Sequence, residues 1–134
     1  KMFKEVTITT KKRTEFINIT NHIKKFIQDH EIKDSIVYIF VPHTTAGVTI
    51  NENADPAVPA DMEMGLNKIA PLDDNYLHLE GNSAAHIKTS LIGTHQVIII
   101  ENGNLKLGVW QGVFFAEFDG PRTRKFFIKS MGQV

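Results

Sequence analysis

Apolar residues recur at every second position near both ends of the chain and at every third or fourth position in three internal stretches, so changes of period mark its elements. Val6 and Ile8 alternate with Thr7 and Thr9 within Phe3 to Thr10. The basic turn Lys11-Lys12-Arg13 follows, and Glu15 to Ile19 alternates again, which predicts an antiparallel hairpin. Ile19, Ile23, Phe26 and Ile27 share one helical face, with Thr20 or Asn21 as cap and an end near His30. His22 and His30 fall on or near the wet face of that helix and read as surface residues. Ser35 to Val41 is apolar on both faces, the pattern of an interior strand, and Pro42 ends it because proline cannot donate to a ladder.

After a turn of small hydroxyl residues, His43-Thr44-Thr45-Ala46-Gly47, the strand Val48 to Asn51 leads to Asp55, which caps a helix beginning at Pro56. Val58, Met62, Leu66 and Ile69 give that helix its apolar stripe, to about Ala70. Pro71 to Leu77 reads as a loop. Gln96 to Ile100 is a second strand apolar on both faces, Glu101-Asn102-Gly103-Asn104 is a hairpin turn, and Leu105 to Gln111 is a short or bulged strand. Val113 to Phe118 and Arg124 to Met131 are two further strands around the tight turn Asp119-Gly120-Pro121-Arg122.

The stretch between these strands, His78 to His95, holds three of the six histidines. Asn82 or Ser83 caps a helix there and Gly93 sits just past its end. Ala84, Ile87 and Leu91 form its apolar side, while Asn82, His86 and Ser90 form a polar stripe four residues apart. His86 is therefore expected to point away from the nearest core.

Seven or eight strands and three helices, with connections too short for repeated βαβ crossovers, predict an α+β fold. It is read as mostly antiparallel, a two-sheet β-sandwich in a single domain over residues 1–134. The length excludes a (β/α)₈ barrel, which needs roughly 200 residues. Met2 is read as the native start, and Lys1 is left out of the fold reading.

Fifteen basic and fifteen acidic side chains cancel, which argues against a general nucleic-acid binder. No apolar run approaches the ~18 residues of a membrane span, and the amino terminus is charged and strand-like, so no membrane partner is expected and a cytoplasmic location is. The absence of cysteine removes disulfides and thiolate metal sites, leaving His, Asp and Glu as strong ligands.

Three histidines stand at ends of elements: His43 past a buried strand, His86 on the polar stripe, and His95 opening another strand. Imidazoles brought together from separate elements make a zinc-type ligand set with a position left for water, and Glu52 and Asp55 are candidates to complete the shell or to act as base. Bonded separately to local neighbours, the same histidines would be structural. Gly120-Pro121-Arg122-Thr123-Arg124 offers guanidinium forks suited to phosphate, although a solvated turn accounts for Arg124 equally well. Lys88 adds a point charge, and Asn82 at a helix start fits an anion site. Trp110 reads by default as a packing anchor, with a pocket wall or a subunit contact as the alternatives, and Asp73-Asp74 as a solvated loop.

His43-Thr44-Thr45-Ala46-Gly47, Asn51 to Pro56, His78 to Lys88, Gly108-Val109-Trp110-Gln111 and Gly120-Pro121-Arg122 together resemble the YjbQ-like family, in order and across nearly the whole chain. Val109 departs from the threonine common before Trp-Gln in that family. Members are often labelled secondary thiamine-phosphate synthases. The resemblance implies a homotrimer with a histidine-cluster site at His43, His86 and His95, with Glu52, Asp55, Asn82 and Arg122 around it. It implies a phosphorylated small-molecule substrate, most specifically the pyrimidine diphosphate and thiazole phosphate that form thiamine phosphate. Ionising a diphosphate usually calls for Mg²⁺ on carboxylates, whereas a histidine-rich site favours a zinc-like ion. A zinc-type phosphate-ester hydrolase and a non-enzymatic metal- or anion-binding module stand as the alternatives.

Overall fold

A computed structural model describes residues 2–132, and Lys1, Gln133 and Val134 lie outside it. Its strands are β1 (Phe3–Thr9), β2 (Glu15–Asn18), β3 (Ser35–Phe40), β4 (Ala46–Glu52), β5 (His95–Glu101), β6 (Asn104–Leu105), β7 (Gln111–Glu117) and β8 (Thr123–Met131). Its helices are α1 (Thr20–Asp29), α2 (Ala57–Ile69) and α3 (Ser83–Ile92). All strand pairing is antiparallel, in one sheet ordered β1-β8-β3-β5-β6 and another ordered β2-β7-β4, as the α+β sandwich reading expects.

Alternate residues of both sheets meet between them: Val37, Ile39, Ile98, Ile100, Phe126 and Ile128 from one face Val48, Val113 and Phe115 from the other. Ile23, Phe26 and Ile27 of α1 close this core. Asn18 Oδ1 accepts from the Thr20 backbone N–H at 3.0 Å and fixes the start of α1, a capping role the sequence reading gave to Thr20 or Asn21.

β1 and β2 do not form a hairpin. β1 pairs with β8 from Phe3↔Lys129 to Thr9↔Thr123, while β2 pairs with β7, so the turn at Lys11–Arg13 carries the chain from one sheet to the other. β3 is interior to its sheet, but its outer face is bare: Ile36, Tyr38 and Phe40 are exposed, as are Val97 and Ile99 of β5. α2 likewise buries no residue fully, and Ile69 of its stripe is 67% exposed.

α3 turns a different face inward from the expected one. Ala84, Ala85, Lys88 and Thr89 are buried, whereas Ile87 and Leu91 are exposed. The reason lies at Gly47 in β4, where an added Cβ would lie 2.3 Å from the Gly93 carbonyl oxygen. An approach that close admits only small residues between helix and strand. Gly93, with φ of 93°, ends the helix, and its carbonyl accepts from Val48 N–H at 3.1 Å.

Candidate functional site

The end of the sandwich nearest α3 carries a hollow of about 590 Å³, whose lining includes His43, Thr44, His78, Asn82, His86 and Arg122. A smaller adjoining hollow, about 530 Å³, shares His43, Thr44 and His86 with it and adds Thr89 and Ser90. His43 follows β3 through Pro42, and its Nε2 accepts the Lys125 backbone N–H at 3.1 Å, so β8 holds the ring in place. With Nε2 as acceptor, Nδ1 carries the proton and the neutral ring is a donor. Burial, and then the nearby Arg124 charge, push the His43 pKa below its ordinary value of 6.5, which keeps the ring neutral.

His86 is half-buried on α3, and among the described residues nothing hydrogen-bonds its ring nitrogens. The His78 ring meets it edge to face with centroids 5.3 Å apart, and His78 Nε2 lies 3.6 Å from Glu80 Oε1. His86 is thus an imidazole with both nitrogens open to a ligand.

Asp119, in the turn before β8, organises the opposite wall. Its Oδ2 accepts from Asn82 Nδ2 and from Arg122 Nη2, each at 2.9 Å, and its backbone carbonyl accepts from Arg122 Nε at 2.9 Å. Asn82 therefore stands at the start of α3 without capping it, and its Oδ1 is buried with no partner. Thr89 Oγ1 is buried and unpartnered too. Asn82 Oδ1 beside the larger hollow and Thr89 Oγ1 beside the smaller are the kind of polar groups that a ligand or ordered water satisfies.

Beneath this wall lies a fully buried ion pair. Arg124 donates to both carboxylate oxygens of Glu117, through Nε at 2.8 Å and through Nη2, and Nη2 also reaches Thr45 Oγ1 at 2.7 Å. Thr10 Oγ1 donates to Glu117 Oε1 at 2.8 Å. Arg124 is therefore a structural cation rather than the residue of a solvated turn, and Arg122 is the guanidinium with surface to offer, its side chain half exposed.

The remaining sequence candidates lie elsewhere. His95 opens β5 opposite Phe40, shares the outer face of the sheet with it and lines neither hollow. Glu52 ends β4 opposite Gln111, whereas Ala46 at the start of that strand pairs with Glu117 near the site; six residues of strand separate them by roughly 20 Å. Asp55 accepts the Ala57 N–H at 2.9 Å and starts α2. Lys88 lines a different hollow, where it donates to Asn67 Oδ1.

The expected convergence of three imidazoles thus becomes two, His43 and His86, with His78 as an addition. Among the described residues no three His, Asp or Glu side chains are grouped to hold a metal ion. Within one chain the described residues therefore fall short of the three protein ligands of a catalytic zinc. Reading the sequence missed His78, Asp119 and Glu117. A carboxylate inside the otherwise apolar run Gly112 to Phe118 was the available signal for Glu117, because a buried acid demands a partner.

Among the described residues no helix is long and apolar enough to cross a membrane. In comparison with known proteins, the chain is 54% identical to the UPF0047 protein of Methanocaldococcus jannaschii over 98% of this chain and 96% of that one. It is 50% identical to YugU of Bacillus subtilis, over 98% of this chain and all of that one. Its structure matches the crystal structure of a YjbQ/UPF0047 family protein from Clostridium acetobutylicum with a TM-score of 0.94 at 53% identity, covering 96% of this chain and 99% of that one. A YbjQ-like protein from Sulfolobus solfataricus P2 gives the same TM-score at 27% identity, covering 98% and 96%. The family profile described as UPF0047 protein YjbQ-like matches residues 4–133, and the chain belongs to that family.

Proposed function

We propose that the hollow between α3 and the turn before β8 binds a phosphorylated small molecule and transfers protons to or from it. The observation that carries this reading is the meeting of an unpartnered imidazole, His86, with a half-exposed guanidinium, Arg122, in one hollow. Arg122 holds phosphate oxygens through the guanidinium donors that Asp119 leaves free, and the neutral His43 adds a donor. His86 then serves as the acid or base. The finest form of the proposal is secondary thiamine-phosphate synthesis, in which the thiazole nitrogen bonds to the pyrimidine methylene as its diphosphate departs. Donors in the hollow would take up the charge on that leaving group.

Dependence on a divalent ion, zinc-like or Mg²⁺, is a separate proposal. It requires oxygens from the substrate or side chains from a second copy to complete the donor set. The hydrolase reading needs the same completion. The binding-module reading is favoured by the distance of Glu52 and Asp55 from the imidazoles; the carboxylate that lines the hollow with His86 is instead Glu80, beside His78.

Assembly as a homotrimer is also proposed, supported by the exposed apolar side chains of β3 and β5 and by the thin burial of α2. Light scattering of the purified protein checks it by a mass three times that of the chain. A cytoplasmic location is proposed on the cysteine-free composition.

Incubation with both thiamine precursors, with and without Mg²⁺ or Zn²⁺, tests the reaction. Product formation abolished in His86→Ala, with the fold intact by circular dichroism, is the expected result, and turnover unaffected by that substitution overturns the site.

A further inference from the structure

Asn82 also lines a second hollow of about 620 Å³, which reaches the β1–β2 turn, α2 and the first turn of α3. Its charged lining residues are Lys12, Arg13, Lys88 and Glu63, three cations against one carboxylate. Lys88 is the unusual member, because its side chain is 94% buried by its 6% exposure while its ammonium carries three donors. Among the described residues its partner is the neutral amide oxygen of Asn67, and no carboxylate stands within ion-pair distance. Buried cations are ordinarily paired with an anion. Among the described residues the Arg13 side chain makes one long contact, Nη1 to Asp119 Oδ1 at 3.4 Å, and is more than half exposed.

The first turn of α3 adds to the same field. Ala84 and Ala85 line the hollow, and the Asn82 side chain, committed to Asp119, leaves the helix start uncapped. Ala84, Ala85, Pro71, Leu72 and Phe118 provide an apolar wall against which a small organic group can rest.

We propose that this hollow is a binding site for a small anion bearing a phosphate or carboxylate group, with Lys88 Nζ as its buried contact and Arg13 and Lys12 at its rim. The site is separate from the imidazole hollow and does not rest on the reaction proposed for it. An anion here supplies the acceptors that the Lys88 ammonium lacks, and Arg13 is free to turn from Asp119 toward it.

The test uses the whole protein with lysines labelled at the ε-carbon, the Lys88 signal being identified by its loss in Lys88→Met. Titration with inorganic phosphate and with acetate is expected to shift that signal saturably, the stronger of the two probes naming the anion class. Arg13→Gln is expected to weaken the response about tenfold, the change for losing one charge-assisted hydrogen bond. His86→Ala is expected to leave it unchanged, which keeps this outcome distinct from failure of the imidazole site. A Lys88 signal indifferent to both anions, one that chloride moves equally, or one whose response survives Arg13→Gln and disappears in His86→Ala overturns the proposal. Arg13 lies on an exposed turn, so that variant retains the fold if Lys88→Met does not.

Discussion

Asn82 Nδ2 lies 2.9 Å from Asp119 Oδ2, and this one hydrogen bond ties the start of α3 to the turn between β7 and β8. The same oxygen holds Arg122, so the two walls of the imidazole hollow share a hinge post. Asp119→Ala leaves Asn82 without a partner for either polar atom of its side chain and removes the carboxylate half of the Arg122 clamp, while Nε stays on the backbone carbonyl at that position. The expected loss is about 1–3 kcal/mol of stability in urea unfolding, the usual penalty for a stranded polar group, together with weakened binding of phosphorylated ligands. Unchanged stability and binding would show that the shared carboxylate organises nothing.

The Glu117–Arg124 pair governs acid stability. Burial pushes the Glu117 pKa up, but hydrogen bonds from Arg124, the Asp119 backbone N–H and Thr10 outweigh it and hold the carboxyl below its ordinary value of 4.5. A group depressed in the folded state binds fewer protons than in the unfolded chain. Its stabilisation is therefore complete above that ordinary value and is lost as pH falls through the folded one. Glu117→Ala is expected to cost about 3–5 kcal/mol at neutral pH, because it strands a buried guanidinium, and to flatten the acid limb of the stability profile. Urea melts at several pH values measure both effects.

His43 carries a prediction with the same sign. Its imidazole is disfavoured as a cation by burial and by Arg124, so its contribution to stability is present above 6.5 and fades as pH falls below that value. Titration followed by NMR is expected to place His43 below 6.5, with the Lys125 amide shifting in step because it donates to the ring. A midpoint at or above the ordinary value would remove the neutral donor from the site.

Gly47→Ala tests how α3 is seated. The added methyl would collide with the Gly93 carbonyl oxygen, a backbone atom that cannot rotate away. The helix must shift, at about 1–3 kcal/mol for overpacking, and His86 moves with it. Thermal unfolding and any His86-dependent turnover should fall together.

Much of this architecture was legible from local chemistry. Asp55 before Pro56 marks the start of α2, Asn82 and Gly93 bracket α3, and Pro42 ends β3. Each signal lies within a few residues of the feature it sets. The misreadings concern long-range partners: β1 seeks β8 more than a hundred residues away rather than the adjacent β2, and the inward face of α3 is chosen by Gly47 on another element. The site followed the same division. His43 just past β3 and His86 on the polar stripe of α3 are brought together by the sandwich, while Glu52 and Asp55, close to His43 along the chain, are carried off by the length of β4. Glu117 and Arg124 are seven residues apart, and nothing local reveals that the turn between them buries both.

The central claim is that His43, His86 and Arg122 form one anion-receiving site. Histidine ring NMR of the whole protein during titration with inorganic diphosphate tests it most directly. The account predicts that the His43 and His86 signals shift together with a single binding constant, that His95 stays still, and that Arg122→Ala weakens the response about tenfold. Independent shifts for the two rings, or a response shared equally by His95 and untouched by Arg122→Ala, would contradict it.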